Sequence, residues 1–365
     1  MASDTAGILD EAYQRLHQTG PEFDGWLSNH GPMAAEAMVR HGCAEDVGPW
    51  LDGYVRRLED FPRGIDPIGA DWAEALGNPR RIADWTAFYC REVAGQPWRQ
   101  VLGTWWPRLL PGVAASATHG IIRVGHAVRA LLADGDDPVH VAELAHGLAY
   151  WAARWQPIPG TRAPAGPAPI AEEARRQAAD LTPAAALAKV PRIASQSGGF
   201  RDRLPRLAAL AGWPAALAAP FIQGPPEQAR AWLAALADSA VTRYLDYGRG
   251  NPVMLVHSAT APTAILRTLP ALSQDLWAPS AAAAWDAAAA LTAIYAPPVP
   301  APPGTLPAAP TGPGAADEAF ARAVAHGDEH VIKFADTAAD VHARTDNPAA
   351  LAAAVHAAAL IPRPA

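Results

Sequence analysis

The sequence predicts an all-α protein, and three observations predict it. Half of the 365 residues are hydrophobic, and much of that half is alanine, which enters a helix without side-chain entropy loss and without burying a polar group. β-Branched runs are few, and no segment alternates apolar and polar residues convincingly enough for a half-buried strand. Glycine and proline punctuate the apolar segments at helix-like intervals. At this length the chain can bury a large core, as a single large helical domain over 1–365 or as two helical subdomains.

The elements follow in order. Ser28 or Asn29 can cap a helix with Pro32 near its first turn, running through Ala34 to Val39. Ala114–Ala133 reads as a long helix; Ile122, Val124, Val128, Leu131 and Leu132 place apolar surface on more than one side, so it should be buried. Residues 157–169, PIPGTRAPAGPAP, cannot be helical, because proline lacks the amide donor and clashes with the preceding turn. Asn251 followed by Pro252 starts a helix through His257. Residues 297–314, PPVPAPPGTLPAAPTGPG, should form an extended, semi-rigid connection. A last helix is expected over Glu318–Val341, with Phe320, Ala323, Val324 and Phe334 as its apolar residues.

Composition excludes several functions. The net charge is −7, whereas phosphate binding requires clustered Lys and Arg, so no nucleic-acid partner is expected. Only Cys43 and Cys90 are present, which suits a reducing compartment. Met1–Glu11 lacks a basic start and an apolar core of a signal peptide, and apolar runs such as Trp213–Phe221 are too short to span a bilayer. A cytoplasmic protein with no membrane partner is expected. The motifs CxxC, HExxH, GK[ST] and GxSxG are missing. GRGNPV at Gly248 lacks both the third glycine and the strand of a dinucleotide site.

The twelve histidines are the remaining chemical signal. In THGIIRVGHAVRAL, His119 and His126 stand nearly two turns apart, on one face with Ile122 and Arg123, roughly 10 Å along the axis. Both could lean onto one ion, one could ligate and the other support it, or both could be core residues. In GDEHVIKFAD, His330 and Lys333 are neighbours at i and i+3. The lysine could ligate only if burial lowered its pKa; its neutral amine could then take up carbon dioxide as a carbamate, the competing reading being a solvated lysine beside Asp328 and Glu329. His257 lies in the apolar run PVMLVHSATAP and needs a hydrogen bond or a metal. His30 precedes a helix and could be purely structural. His326 is one turn before His330, and the other histidines read as structural.

The segments NHGPMAAEA, THGIIRVGHAVRAL, VHSATAP and DEHVIKF together resemble the questin oxidase-like family, in the expected order from about Trp26 to Asp336, with the HGxIRxxHAxRAL-like block the most specific part. The resemblance implies an enzyme of aromatic polyketide metabolism that oxidatively opens an anthraquinone-type ring with dioxygen. One enzyme of this type holds non-haem iron with four histidines and a carboxylated lysine. Carried over, Lys333 is the carboxylated lysine, and His30, His119, His126, His257 and His330 are five candidates for four positions. Imidazoles with one anionic oxygen donor suit Fe(II), although zinc, copper or nickel would accept the nitrogens. Lys333, His330 and Arg123 are the residues expected to act on the reaction, Arg123 or Arg129 by binding a phenolate or quinone oxygen or, equally, by pairing with neighbouring helices. Some of the thirteen tryptophans could stack on a flat substrate, while most should fill the core. NADPH could serve as an external reductant. Two rival readings stand beside this one: a zinc hydrolase on the same histidines, and a non-enzymatic helical ligand-binding protein.

Overall fold

Helix starts in this chain repeat one device, an Asx or Thr cap followed by proline. Asp137 accepts the Val139 amide ahead of Pro138–Ala153, Thr182 the Ala185 amide ahead of Pro183–Lys189, Asn251 the Met254 amide ahead of Pro252–Thr268, and Asn347 the Ala349 amide ahead of Pro348–Leu360. The side chain satisfies an orphan amide of the first turn, and proline fills a position whose amide needs no partner. The computed structural model describes residues 2–161, 181–218, 225–302 and 308–364. Their secondary structure is overwhelmingly helical, with one two-stranded antiparallel hairpin, Glu22–Phe23 with Leu27–Ser28. The all-α expectation holds. No described helix is long and apolar enough to cross a membrane.

The described residues form two compact units. The first comprises 1–156 with 270–272. Its longer helices are α1 (Ala2–His17), α2 (Gly31–Arg40), α3 (Ala44–Tyr54), α4 (Ile82–Gly95), α5 (Trp98–Leu109), α6 (His119–Asp134) and α7 (Pro138–Ala153). α7 packs on both α4 and α6, and α2 on α1, α3 and α6. Trp72, Trp85, Phe88, Tyr89 and Trp105 meet edge-on or stacked at centroid distances of 5.0–5.8 Å, the offset geometry that aromatic quadrupoles favour. Trp106 meets Trp151 edge-on at 5.3 Å. Trp85, Trp105, Trp106 and Trp151 fill the core, and Trp72 is half-buried at its edge.

The second unit comprises 157–269 with 273–365. It is built on α8 (Pro183–Lys189), α9 (Pro226–Tyr247), α10 (Pro252–Thr268), α11 (Trp277–Tyr295), α12 (Ala315–His326), α13 (Glu329–Thr345) and α14 (Pro348–Leu360). α11 is the alanine signal realised: Ala281, Ala284, Ala287, Ala288 and Ala290 are all buried, and their small side chains let α9 and α10 pack closely on it. Trp285 closes this core and donates its indole N–H to the Ala216 carbonyl at 3.0 Å.

Three boundaries differ from the sequence expectation. Neither Ser28 nor Asn29 is the cap of α2: His30 stands at the cap position, although the Asn29 side chain does accept the Gly31 amide at 2.9 Å. The helix expected from Ala114 starts only at His119, because Ser116, Ala117 and Thr118 take left-handed backbone with φ of +47°, +54° and +73°. The helix expected over Glu318–Val341 is two helices, α12 and α13. Gly327, at φ +89°, ends the first, and the Asp328 carboxylate caps the second by accepting the amides of His330 and Val331; glycine takes this left-handed position without a Cβ penalty. The described parts of the two proline-rich stretches, 157–161, 297–302 and 308–314, contain no helix or ladder strand. Residues 162–169 and 303–307 lie outside the described residues.

Candidate metal centre

In the first unit, His30 ends the short connection from the hairpin into α2, and His119 opens α6. Both are buried. Their Nε2 atoms are 2.7 Å apart and the rings meet edge-on at 4.5 Å. The His119 Nδ1–H donates to the Ser116 carbonyl at 2.5 Å, which makes the Nε2 of neutral His119 an acceptor. A ring N–H donated to a backbone carbonyl is how metal-bound histidines are usually oriented. The carbonyl is presented by the left-handed turn 116–118, where each non-glycine residue costs roughly 1–2 kcal/mol. Strain held at the root of a chemically capable side chain is what a functional position looks like.

His126 is not brought to this pair. Its Nδ1 lies 2.7 Å from Glu36 Oε2, and Arg129 binds the same carboxylate through Nε at 2.8 Å and through Nη2. Burial opposes ionisation of Glu36, but Arg129 and His126 outweigh it and hold the carboxyl down at about 2. Arg123 is equally committed. It grips Glu143 with two hydrogen bonds of 2.6 and 2.8 Å, and His17 Nε2 lies 2.8 Å from the same carboxylate. Against burial, Arg123 and then His17 hold Glu143 down at about 2. Both arginines therefore pair with neighbouring helices, the second of the two roles open to them. Both glutamates sit in apolar surroundings in the sequence, AAEAMV and VAELAH. That is the signal that each needs a buried cation, though not which one.

In the second unit, α10 carries His257 and α13 carries His330 and Lys333. The two imidazoles meet edge-on at 5.4 Å. His257 is fully buried, and its Nδ1–H donates to the Met254 carbonyl at 3.3 Å, the same device that orients His119. Asp328 reaches His330 twice: its Oδ1 accepts the backbone amide at 2.8 Å and lies 3.4 Å from Nδ1. Burial opposes the charge on Asp328, but the His330 contacts lower its pKa overall. Asp328, Glu329 and His330 each offer a ligand atom within 4.8 Å of the others, a cluster that could hold a metal ion.

Lys333 is the most unusual residue of the chain. Its side chain is 0% exposed and its Nζ has no hydrogen-bond partner. A buried ammonium without a partner is very costly, so burial drives the pKa down to about 7, against a weaker opposing pull from Glu329 and Asp328. The sequence alternative of a solvated lysine is excluded by this burial. His326, one turn before His330, is structural: its Nε2 meets the Ile361 carbonyl at 3.0 Å.

The chain is thus a helical protein whose buried histidines could hold a metal ion, with a neutralisable lysine on the same helix as His330. No family model and no curated protein matches the chain.

Proposed function

We propose that this protein is a non-haem iron oxygenase that oxidatively cleaves a ring of an anthraquinone-type aromatic polyketide, of the questin oxidase-like kind, with His30, His119, His257, His330 and carboxylated Lys333 as its metal ligands. The observation that carries the reading is Lys333, a fully buried amine with no hydrogen-bond partner and a pKa lowered to about 7. At neutral pH a large fraction of it is the free amine, which can attack carbon dioxide: the N–C bond forms, one proton leaves, and a carbamate anion remains. That anion in a dry interior would itself need a cation, so carbamate and metal ion stabilise one another. Imidazole nitrogens and one anionic oxygen suit Fe(II), and bound iron would supply the activation of dioxygen.

The remaining work falls to the chain. Ser116 and Met254 hold the Nδ1 protons of His119 and His257 and so fix which nitrogen each ring presents. Arg123 and Arg129 pair with Glu143 and Glu36 and hold the helices of the first unit together. The test is to load the protein anaerobically with Fe(II), add carbon dioxide and an anthraquinone, admit oxygen with and without NADPH, and identify products by mass. A ring-opened product that gains oxygen and disappears in Lys333→Ala supports the reading. Partial rescue of that variant by short carboxylic acids supports the carbamate. Full turnover in Lys333→Ala sinks the proposed role. The Asp328–Glu329–His330 cluster favours one second reading, a zinc hydrolase, which the metal found in the protein separates from the first.

A further inference from the structure

We infer that Tyr150 is a positioning residue for the His30–His119 pair, its single buried hydroxyl tying together the two chain segments that deliver those rings. The inference rests on the reading that His30 and His119 are metal ligands. The Tyr150 hydroxyl lies 2.7 Å from Ser28 Oγ and 2.8 Å from Ser116 Oγ, and the two serine oxygens are 3.1 Å apart. Ser28 stands two residues before His30. Ser116 stands three before His119, and its carbonyl is the group that accepts the His119 Nδ1–H. Ser116 therefore holds the imidazole with its main chain and Tyr150 with its side chain.

The triangle matters because the turn it anchors is strained. Of the three left-handed residues, Ala117 has no polar side chain and the buried Thr118 hydroxyl has no hydrogen-bond partner. Of the three side chains of that turn, Ser116 is the one that makes hydrogen bonds, to Ser28 and Tyr150. Tyr150 is in turn held from behind. Its hydroxyl donates to Glu22 Oε1 at 3.0 Å, and Glu22 is paired with Arg154 on the last turn of the same helix region. Glu22 begins the hairpin that ends at Ser28, so the network closes on itself. With the hydroxyl gone, segments 28–30 and 116–119 keep the Ser28–Ser116 hydrogen bond and the contact of the two rings, but lose the tie through Tyr150 to Glu22 and Arg154.

The test compares Tyr150→Phe with Tyr89→Phe, which removes another buried tyrosine hydroxyl of the same unit, one with no hydrogen-bond partner. Zinc is the probe, titrated into metal-free protein against a chelator. Partners that orient ligating histidines are worth about 10–100-fold in metal affinity; that loss is expected for Tyr150→Phe and none for Tyr89→Phe. A second readout uses metal-free protein labelled with ¹⁵N in histidine. Wild type should show His119 fixed as the Nδ1–H tautomer, and Tyr150→Phe should show its tautomers averaged. Ser116→Ala should repeat both effects, and it replaces Tyr150→Phe if that variant does not fold. Affinity within twofold of wild type and an unchanged His119 tautomer in both variants would overturn the inference. If wild-type protein takes up no zinc, the ligand reading fails, and the tautomer of His119 alone decides whether Tyr150 positions the ring.

Discussion

Replacing Lys333 by methionine, a side chain of similar length without the amine, should remove metal binding while making the metal-free protein more stable. The magnitude follows from the amine's pKa. It is lowered from 10.5 to about 7, and each unit is worth about 1.4 kcal/mol, so carrying this lysine into the folded state costs about 5 kcal/mol at pH 7, as an upper figure. The sign across pH is fixed by proton counting. Between pH 7 and 10.5 the unfolded chain holds a proton on Lys333 that the folded chain lacks, so stability rises with pH through that window. Below pH 7 both states are protonated and the full penalty applies. The assay is denaturant unfolding of metal-free protein in carbon dioxide-free buffer, from pH 7 to 10. Wild type should gain stability over that range, and Lys333→Met should start higher and lose that slope. An identical slope in both proteins would refute the argument that a buried, unpartnered amine titrates there.

Four further outcomes are expected. His119→Ala should lose bound metal, whereas His126→Ala should keep it and cost roughly 1–3 kcal/mol for its lost bond to Glu36; metal analysis beside a thermal melt separates them. Glu143 is held at about 2 from an ordinary 4.5, so its stabilisation is full above pH 4.5 and is lost as pH falls toward 2, by about 3 kcal/mol. Glu143→Gln should flatten that acid limb of the denaturant midpoint, and an unchanged limb would contradict the assignment. Gly327→Ala should cost about 1–2 kcal/mol, because φ there is +89° and alanine pays for left-handed backbone; an unchanged melting temperature would contradict it. Ala117→Gly should leave stability unchanged or higher, since relief of the strain at φ +54° offsets glycine's extra unfolded-state entropy.

Local chemistry was legible in the sequence, and long-range pairing was not. Alanine content and the Asn251–Pro252 start are local signals, and both are realised in helices. The HGDEH segment also carried its own break, a glycine that can turn left-handed followed by an aspartate that can cap; it reads as one helix only if the apolar spacing is followed across it. The burial of His257 followed from its apolar neighbours. The partners of the buried charges did not follow, because Arg123 and Glu143 are 20 residues apart and Arg129 and Glu36 are 93 apart. Spacing on α6 puts His119 and His126 on one face. What separates their roles is that His30 reaches one and Glu36 the other. The left-handed turn 116–118 was invisible, since Ser, Ala and Thr carry no preference for it and tertiary contacts impose it.

The most direct test of the account is the metal content of freshly purified protein by elemental analysis, repeated on Lys333→Ala and His330→Ala. The account predicts about one iron per chain in the wild type and loss of it in both variants. Zinc in place of iron would move the function to hydrolysis. No metal in the wild type, even after anaerobic loading with Fe(II) and carbon dioxide, would contradict the central claim and leave the buried histidines as parts of the core.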